Sequence, residues 1–282
     1  MPDDTSRMRV RGKTAYHVLS CATWCEYMVI GANYVVKVEP SMNAAHASFI
    51  SCGFSTGFGA AWKEAKVHKG SSVAVLGLGA VGLGAISGAK MMGARKIIGI
   101  DRNEKKREKG EAFGMTHFIN PSASSANNTL SDLVKELSDN GMGVDYSFEC
   151  TGVAPLLNQA MEATKMIASL SPTLYMWYSC YWWYAMLLTR NNSKLGIGET
   201  IAIGSGNGAV AVNYSTILYG RRLKGTVFGG IKPFSHLPSF IAHHKQEIPL
   251  HELLTHEVPL GDISRAIELF KQPDCVKVII NI

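Results

Sequence analysis

The sequence predicts an α/β fold, a doubly wound parallel sheet with helices on both faces, accompanied by a smaller β-rich part. Two observations predict it. From about residue 54 onward, short apolar strand-like runs alternate with stretches of helical character. At the first alternation a glycine-rich turn, G-x-G-x-x-G, stands between strand and helix. Size and composition agree, because 282 residues with 46% apolar and 18% charged content can bury one large core or two modest ones.

Taken in order, the β-rich part comes first. Residues 14–38 carry β-branched and aromatic runs, Tyr27-Met28-Val29-Ile30 and Tyr34-Val35-Val36-Lys37-Val38, around a turn at Gly31-Ala32-Asn33, and read as strands. The alternating region follows, with strands expected at 73–76, 96–100, 117–119, 145–149 and 200–203, and helices at 81–92, 103–113, 130–137 and 155–164. Gly93 and Gly114 each sit just past a helical run, where a left-handed C-terminal cap belongs. A helix over 263–270 and a closing strand over 276–280 end the chain.

Several functional classes are disfavoured at this level. The net charge of +6 sits in clusters such as Lys105-Lys106-Arg107 and Arg221-Arg222, without the arginine and aromatic interleaving of a nucleic-acid groove. Met-Pro-Asp-Asp opens with no apolar leader, so a cytoplasmic location is expected. The six cysteines are scattered without a CxxC pair, which predicts reduced thiols, and Cys21 with Cys25 is read as packing. Residues 166–189 are charge-free and dense in tryptophan and tyrosine, long enough for the roughly 20 residues of a bilayer span. Pro172, four tyrosine hydroxyls and the interrupted strand-helix rhythm argue against a membrane segment.

The run Val73-Ala74-Val75-Leu76-Gly77-Leu78-Gly79-Ala80-Val81-Gly82 is the dinucleotide fingerprint of a Rossmann unit. Gly77 permits the tight turn, Gly79 lets backbone approach a pyrophosphate, and Gly82 lets the helix lie close on the sheet. The next strand ends in Asp101, about 20 residues on, where a carboxylate binds the ribose hydroxyls and repels a 2′-phosphate. NAD is therefore favoured over NADP, even with Arg102 adjacent.

With that motif in place, Ile50-Ser51-Cys52-Gly53-Phe54-Ser55-Thr56-Gly57-Phe58-Gly59 resembles the zinc-dependent medium-chain alcohol dehydrogenases, near the plant-type and glutathione-dependent formaldehyde dehydrogenase branches. The likeness continues through Lys69-Gly70-Ser71, residues 141–152 and Phe228-Gly229-Gly230. It implies a remnant of a GroES-like catalytic domain at 1–53, an NAD-binding Rossmann domain at 54–227 and a return to the catalytic domain at 228–282. It also implies a small alcohol or aldehyde substrate, a zinc ion acting as Lewis acid, and a homodimer. Cofactor contacts carried over are Thr56, Gly79, Ala80, Val81, Gly82, Asp101, Lys106, Cys150, Thr151, Ile203, Gly204, Phe228 and Lys277, and Cys52 maps onto the third zinc ligand.

The family's first two zinc ligands, a cysteine and a histidine, map onto nothing in this chain, and His17, His46, His68 and His117 lack the spacing to replace them. The 282 residues alone are thus expected not to turn over. The alternative of another class is a non-catalytic NAD-binding or dimerising module. Joining Lys165 to Leu195 restores the family's helix, turn and strand in register, so residues 166–194 are read as an insertion, translated non-coding sequence rather than a membrane anchor.

Overall fold

The computed structural model describes residues 5–6, 8–16, 24–123, 128–166, 198–206, 209–244 and 248–282. Its contacts divide the chain into two units, Met1–Met42 with Leu254–Ile282, and Asn43–Leu253. The insertion read over 166–194, apart from Met166, and the residues Cys21 and His17 lie outside the described residues.

In the smaller unit, β1 (Met8–Val10) and β2 (Lys13–Ala15) form an antiparallel hairpin, turned by Arg11 and Gly12 at positive φ. A parallel pair, His256–Pro259 with Val278–Asn281, is joined through the helix Ile263–Phe270, and Val258, Ala266 and Leu269 form its small core. That helix lies where the sequence predicts it. The strands expected at 27–30 and 34–38 do not form: the chain there is irregular, with one 3-10 turn at Ala32–Tyr34. An extended segment becomes a strand only when a neighbour takes its backbone hydrogen bonds, and among the described residues none pairs with these. Tyr27, Val29 and Tyr34 accordingly stand exposed.

The larger unit opens with α1 (Ala44–Ile50), capped by the Asn43 side chain, and α2 (Gly53–Gly59), which runs on into a π turn at Ala60–Glu64. The sheet is then laid down by β3 (Ser72–Leu76), α3 (Ala80–Met91), β4 (Lys96–Ile100), α4 (Lys106–Phe113), β5 (His117–Ile119), α5 (Leu130–Leu137), β6 (Tyr146–Glu149), α6 (Ala154–Glu162), β7 (Glu199–Ala202) and β8 (Arg222–Gly225). The order is β5-β4-β3-β6-β7-β8, and every neighbouring pair is parallel. Every residue of β3 is buried, as a central parallel strand covered on both faces must be. Ala74 and Leu76 face α5 and α6 in one core layer with Ile98, Ile100 and Val134, while Val75 faces α3.

The five predicted strands of the alternating region all form, shifted by a residue or so at their ends, and Gly93 and Gly114 take positive φ after their helices. The sixth strand, β8, is exposed at every position and so carries no hydrophobic period to read. Among the described residues no helix is long and apolar enough to cross a membrane.

Candidate active site

The chain runs outward from β3 to β4 and β5, then returns to continue through β6, β7 and β8 on the other side. The crevice at the carboxyl ends of β3 and β6 is thus the topological switch point where open α/β sheets bind ligands. The 77–82 loop fills its mouth. Gly77 takes φ +89° and donates its N–H to the Ile100 carbonyl at 2.8 Å. A side chain at Gly82 would collide with the Gly77 carbonyl oxygen, so the helix can close on the loop only with glycine there. At Gly79, the residue before α3, nothing lies within 4 Å of where a Cβ would be. That open face leads to the unpaired N–H groups and positive dipole end of a twelve-residue helix.

Asp101 stands at the end of β4, half-buried. Its Oδ2 accepts from Leu78 N and its Oδ1 from Asn103 N, each at 2.9 Å. The carboxylate is thereby tied to the glycine loop, and each oxygen retains a lone pair for a further donor. Lys106 begins α4 just beyond it.

A second wall comes from α2, which meets α3 backbone to backbone. Side chains at Gly57, Gly84 and Gly88 would strike the carbonyls of Val81, Phe54 and Phe58 respectively. This contact brings the start of α2 onto the loop: a Cβ on Gly53 would lie 3.5 Å from Ala80 Cβ. Thr56 is half-buried, with its hydroxyl donating to the Cys52 carbonyl at 2.9 Å. Phe228, Gly229 and Gly230 follow with φ of +54°, +63° and +68°, and Gly229 presses on the carbonyl of Thr56. Phe228 holds a left-handed conformation unusual for a bulky residue.

The third wall is the turn after β6. The Thr151 methyl would lie 2.8 Å from a Cβ on Gly77, so the turn closes directly over the loop. Ile203 N and Gly204 N both donate to the Glu149 carbonyl at 2.9 Å. Cys150 is partly exposed but its sulfur is packed in; that burial, and then the charge of Glu149, push its thiol above the usual range.

Of the residues singled out from the sequence, Thr56, Gly77, Gly79, Ala80, Val81, Gly82, Asp101, Cys150, Thr151, Ile203, Gly204 and Phe228 come together around this crevice. Lys277 belongs to the other unit. Cys52 is exposed at the start of α2, and among the described residues no three His, Cys, Asp or Glu side chains stand together as a metal site. A three-ligand zinc site does not fit the residues described. His68 Nδ1 lies 2.6 Å from the Tyr146 hydroxyl and His117 Nδ1 2.8 Å from that of Thr116. Two features went unread in the sequence: the glycine contact between α2 and α3, and Glu149, a 97%-buried acid at the end of an otherwise uncharged strand.

A family model described as zinc-binding dehydrogenase matches residues 80–170. Alcohol dehydrogenase 1 of Tanacetum cinerariifolium is 50% identical over 285 residues, covering 100% of this chain and 67% of the relative. A CYP enzymes assisting alcohol dehydrogenase of Catharanthus roseus is 50% identical over 288 residues, covering 100% of this chain and 68% of that protein. The chain belongs to the zinc-binding alcohol dehydrogenase family. It spans about two thirds of the length of these curated relatives. Among solved members of the family, benzyl alcohol dehydrogenase from Acinetobacter calcoaceticus superposes with a TM-score of 0.69 at 26% identity, over 88% of this chain and 59% of that one.

Proposed function

We propose that this chain is the cofactor-binding part of an NAD-dependent alcohol dehydrogenase, which passes hydride between a primary alcohol or S-hydroxymethyl thiol and NAD. The observation that carries the reading is the open face at Gly79, before α3, with Asp101 fastened to the same loop through Leu78.

The N–H groups that begin α3 receive the pyrophosphate, and the absence of a side chain at Gly79 admits it. The free lone pairs of Asp101 accept the adenosine ribose hydroxyls, with Lys106 beside them, and its charge opposes a 2′-phosphate. Since Asp101 ends β4, the adenosine half lies on that side, leaving the nicotinamide half to the β6 and β7 side, between Thr56, Ala80, Val81, Cys150, Thr151, Ile203, Gly204 and Phe228. Lys277 is assigned a pyrophosphate contact. Held by these residues, NAD would supply the acceptor for a hydride from the alcohol carbon.

Zinc enters this reading through the family alone. Cys52 is the candidate ligand, and no step is derived through the metal. By itself the 282-residue chain is expected to bind NAD without oxidising alcohol. The domain division at 54–227 belongs to the same reading, as does a cytosolic location. A homodimer is supported by β8, an exposed sheet edge flanked by exposed Ile217, Leu218 and Val227, which a second copy of β8 would cover.

A fluorescence titration with NADH and NADPH tests the reading. The wild-type chain should prefer NADH, and Asp101→Asn should weaken NADH about tenfold while narrowing the gap to NADPH. Absence of binding, or an unchanged preference in the variant, refutes it. NADH formation on adding NAD and an alcohol would refute the expected inactivity.

A further inference from the structure

Glu149 is only 3% exposed, and among the described residues no cation pairs with it. A buried, unpaired carboxylate is costly unless other groups satisfy it. Here every donor that does so comes from the turn it precedes. Thr151 N donates at 2.7 Å, the Thr151 hydroxyl donates as well, and Gly152 N donates to both oxygens at 3.2 and 3.1 Å. The Thr151 hydroxyl in turn accepts from Val153 N at 3.1 Å, which leads the chain into α6.

The same residue holds the neighbouring strand end, since its main-chain oxygen takes both Ile203 N and Gly204 N. Glycine is required at 204, because a Cβ there would collide with Gly152 N and lie 2.8 Å from Glu149 Oε2. One residue therefore gathers the two segments that form the β6 and β7 side of the crevice, the 150–152 turn through its buried carboxylate and the 203–204 segment through its main-chain oxygen. The concentration of N–H groups about a single anion makes the turn a compact nest, with the carboxylate as its fixed counter-charge.

We infer that Glu149 is a positioning residue for the nicotinamide half of the cofactor, holding the 150–152 turn and the 203–204 segment in the conformation that this half requires. The inference rests on the cofactor reading above. On the adenosine side Asp101 is held by Leu78 N and Asn103 N, whereas the hydrogen bonds of the Glu149 side chain go to Thr151 and Gly152. Its loss should therefore separate two ligands that share the adenosine and diphosphate groups and differ in the nicotinamide half.

The test uses the full 282-residue chain with NADH and ADP as probes, each titrated by calorimetry, with thermal melting recorded in parallel. Glu149→Gln keeps the shape but turns an N–H₂ group toward Gly152 N–H. It should weaken NADH about tenfold or more while ADP affinity changes less than about twofold. Equal weakening of both ligands, or unchanged NADH affinity in a folded variant, overturns the inference. If Glu149→Gln does not fold, Glu149→Asp, which keeps the charge but draws the carboxylate back from the Thr151 and Gly152 N–H groups, is measured with the same two readouts and judged the same way. A wild-type chain that binds neither ligand overturns the cofactor reading and this inference with it. Wild-type binding with an unaffected variant overturns this inference alone.

Discussion

Adding one methyl group at Gly84 tests whether the contact between α2 and α3 is as close as described. In an isolated helix Gly→Ala would stabilise, by roughly 0.5–1 kcal/mol. In this fold the new Cβ would lie 3.0 Å from both the Phe54 carbonyl carbon and the Phe58 amide nitrogen, and nearer still to the Phe54 oxygen. These are backbone atoms, so no rotamer change relieves them. Restoring ordinary carbon–oxygen contact requires the helices to part by about 1 Å, loosening the packing of Phe54, Phe58, Leu83 and Ile86, all buried. Overpacking of this kind typically costs about 1–3 kcal/mol, and a backbone clash stands at the upper end. After the propensity gain, a net loss of about 2 kcal/mol remains, or roughly 4–8 °C in melting temperature for a unit of this size. Thermal melting by circular dichroism measures it. A variant that melts at or above the wild-type temperature would refute the reasoning, because propensity would then have outweighed a contact that is not there.

Gly79→Ala is the counterpart. With nothing within 4 Å and φ at −83°, the methyl should leave melting unchanged, yet lower NADH affinity by about tenfold or more by standing in the pyrophosphate's path, as calorimetry would show. At the opposite end of the sheet, burial acts to raise the Asp145 carboxyl, but hydrogen bonds from Lys165 at 2.7 Å and from Ser72 outweigh it and hold the group below the usual carboxylate range. A depressed folded-state pKa contributes stability that is present above the unfolded value near 3.9 and lost as pH falls through the folded one. Asp145→Asn should thus melt lower at neutral pH and lose less on acidification below about pH 4, which melting curves against pH would reveal. Arg221 donates to the Thr164 and Glu162 carbonyls at 3.0 and 3.2 Å, closing the end of α6, and Arg221→Ala should cost about 1–3 kcal/mol in chemical denaturation.

The centre of the sheet was legible because β3 and β4 are buried on both faces and written as near-continuous apolar runs, with glycines marking the ends of α3 and α4. The crevice was legible for the same reason that glycine is required there: Gly77 and Gly82 answer to backbone constraints that leave a spacing in the sequence. Strand β8 has no such mark, since its pairing is made by main chain and its side chains face solvent. The runs at 27–38 show the reverse error, where β-branched residues promise strands that only partner strands could have realised. Gly57, Gly84 and Gly88 look like interruptions of helices until the opposing backbone is seen. Glu149 reads as an unremarkable acid at a strand end, because nothing in its own identity reveals that four hydrogen bonds converge on it.

Lys165 and Gly198 border the long segment between α6 and β7, and Gly198 N donates to the Lys165 carbonyl at 3.2 Å. The main chain leaves the sheet and re-enters it at points one hydrogen bond apart. Loop closure depends on length only logarithmically, so whether three residues or thirty lie between such points changes the closing entropy by about 2 kcal/mol. The gap is already bridged. The site is therefore a natural port in the fold, where sequence can be added, removed or exchanged over evolutionary time while the pairing of β6 with β7 keeps its register.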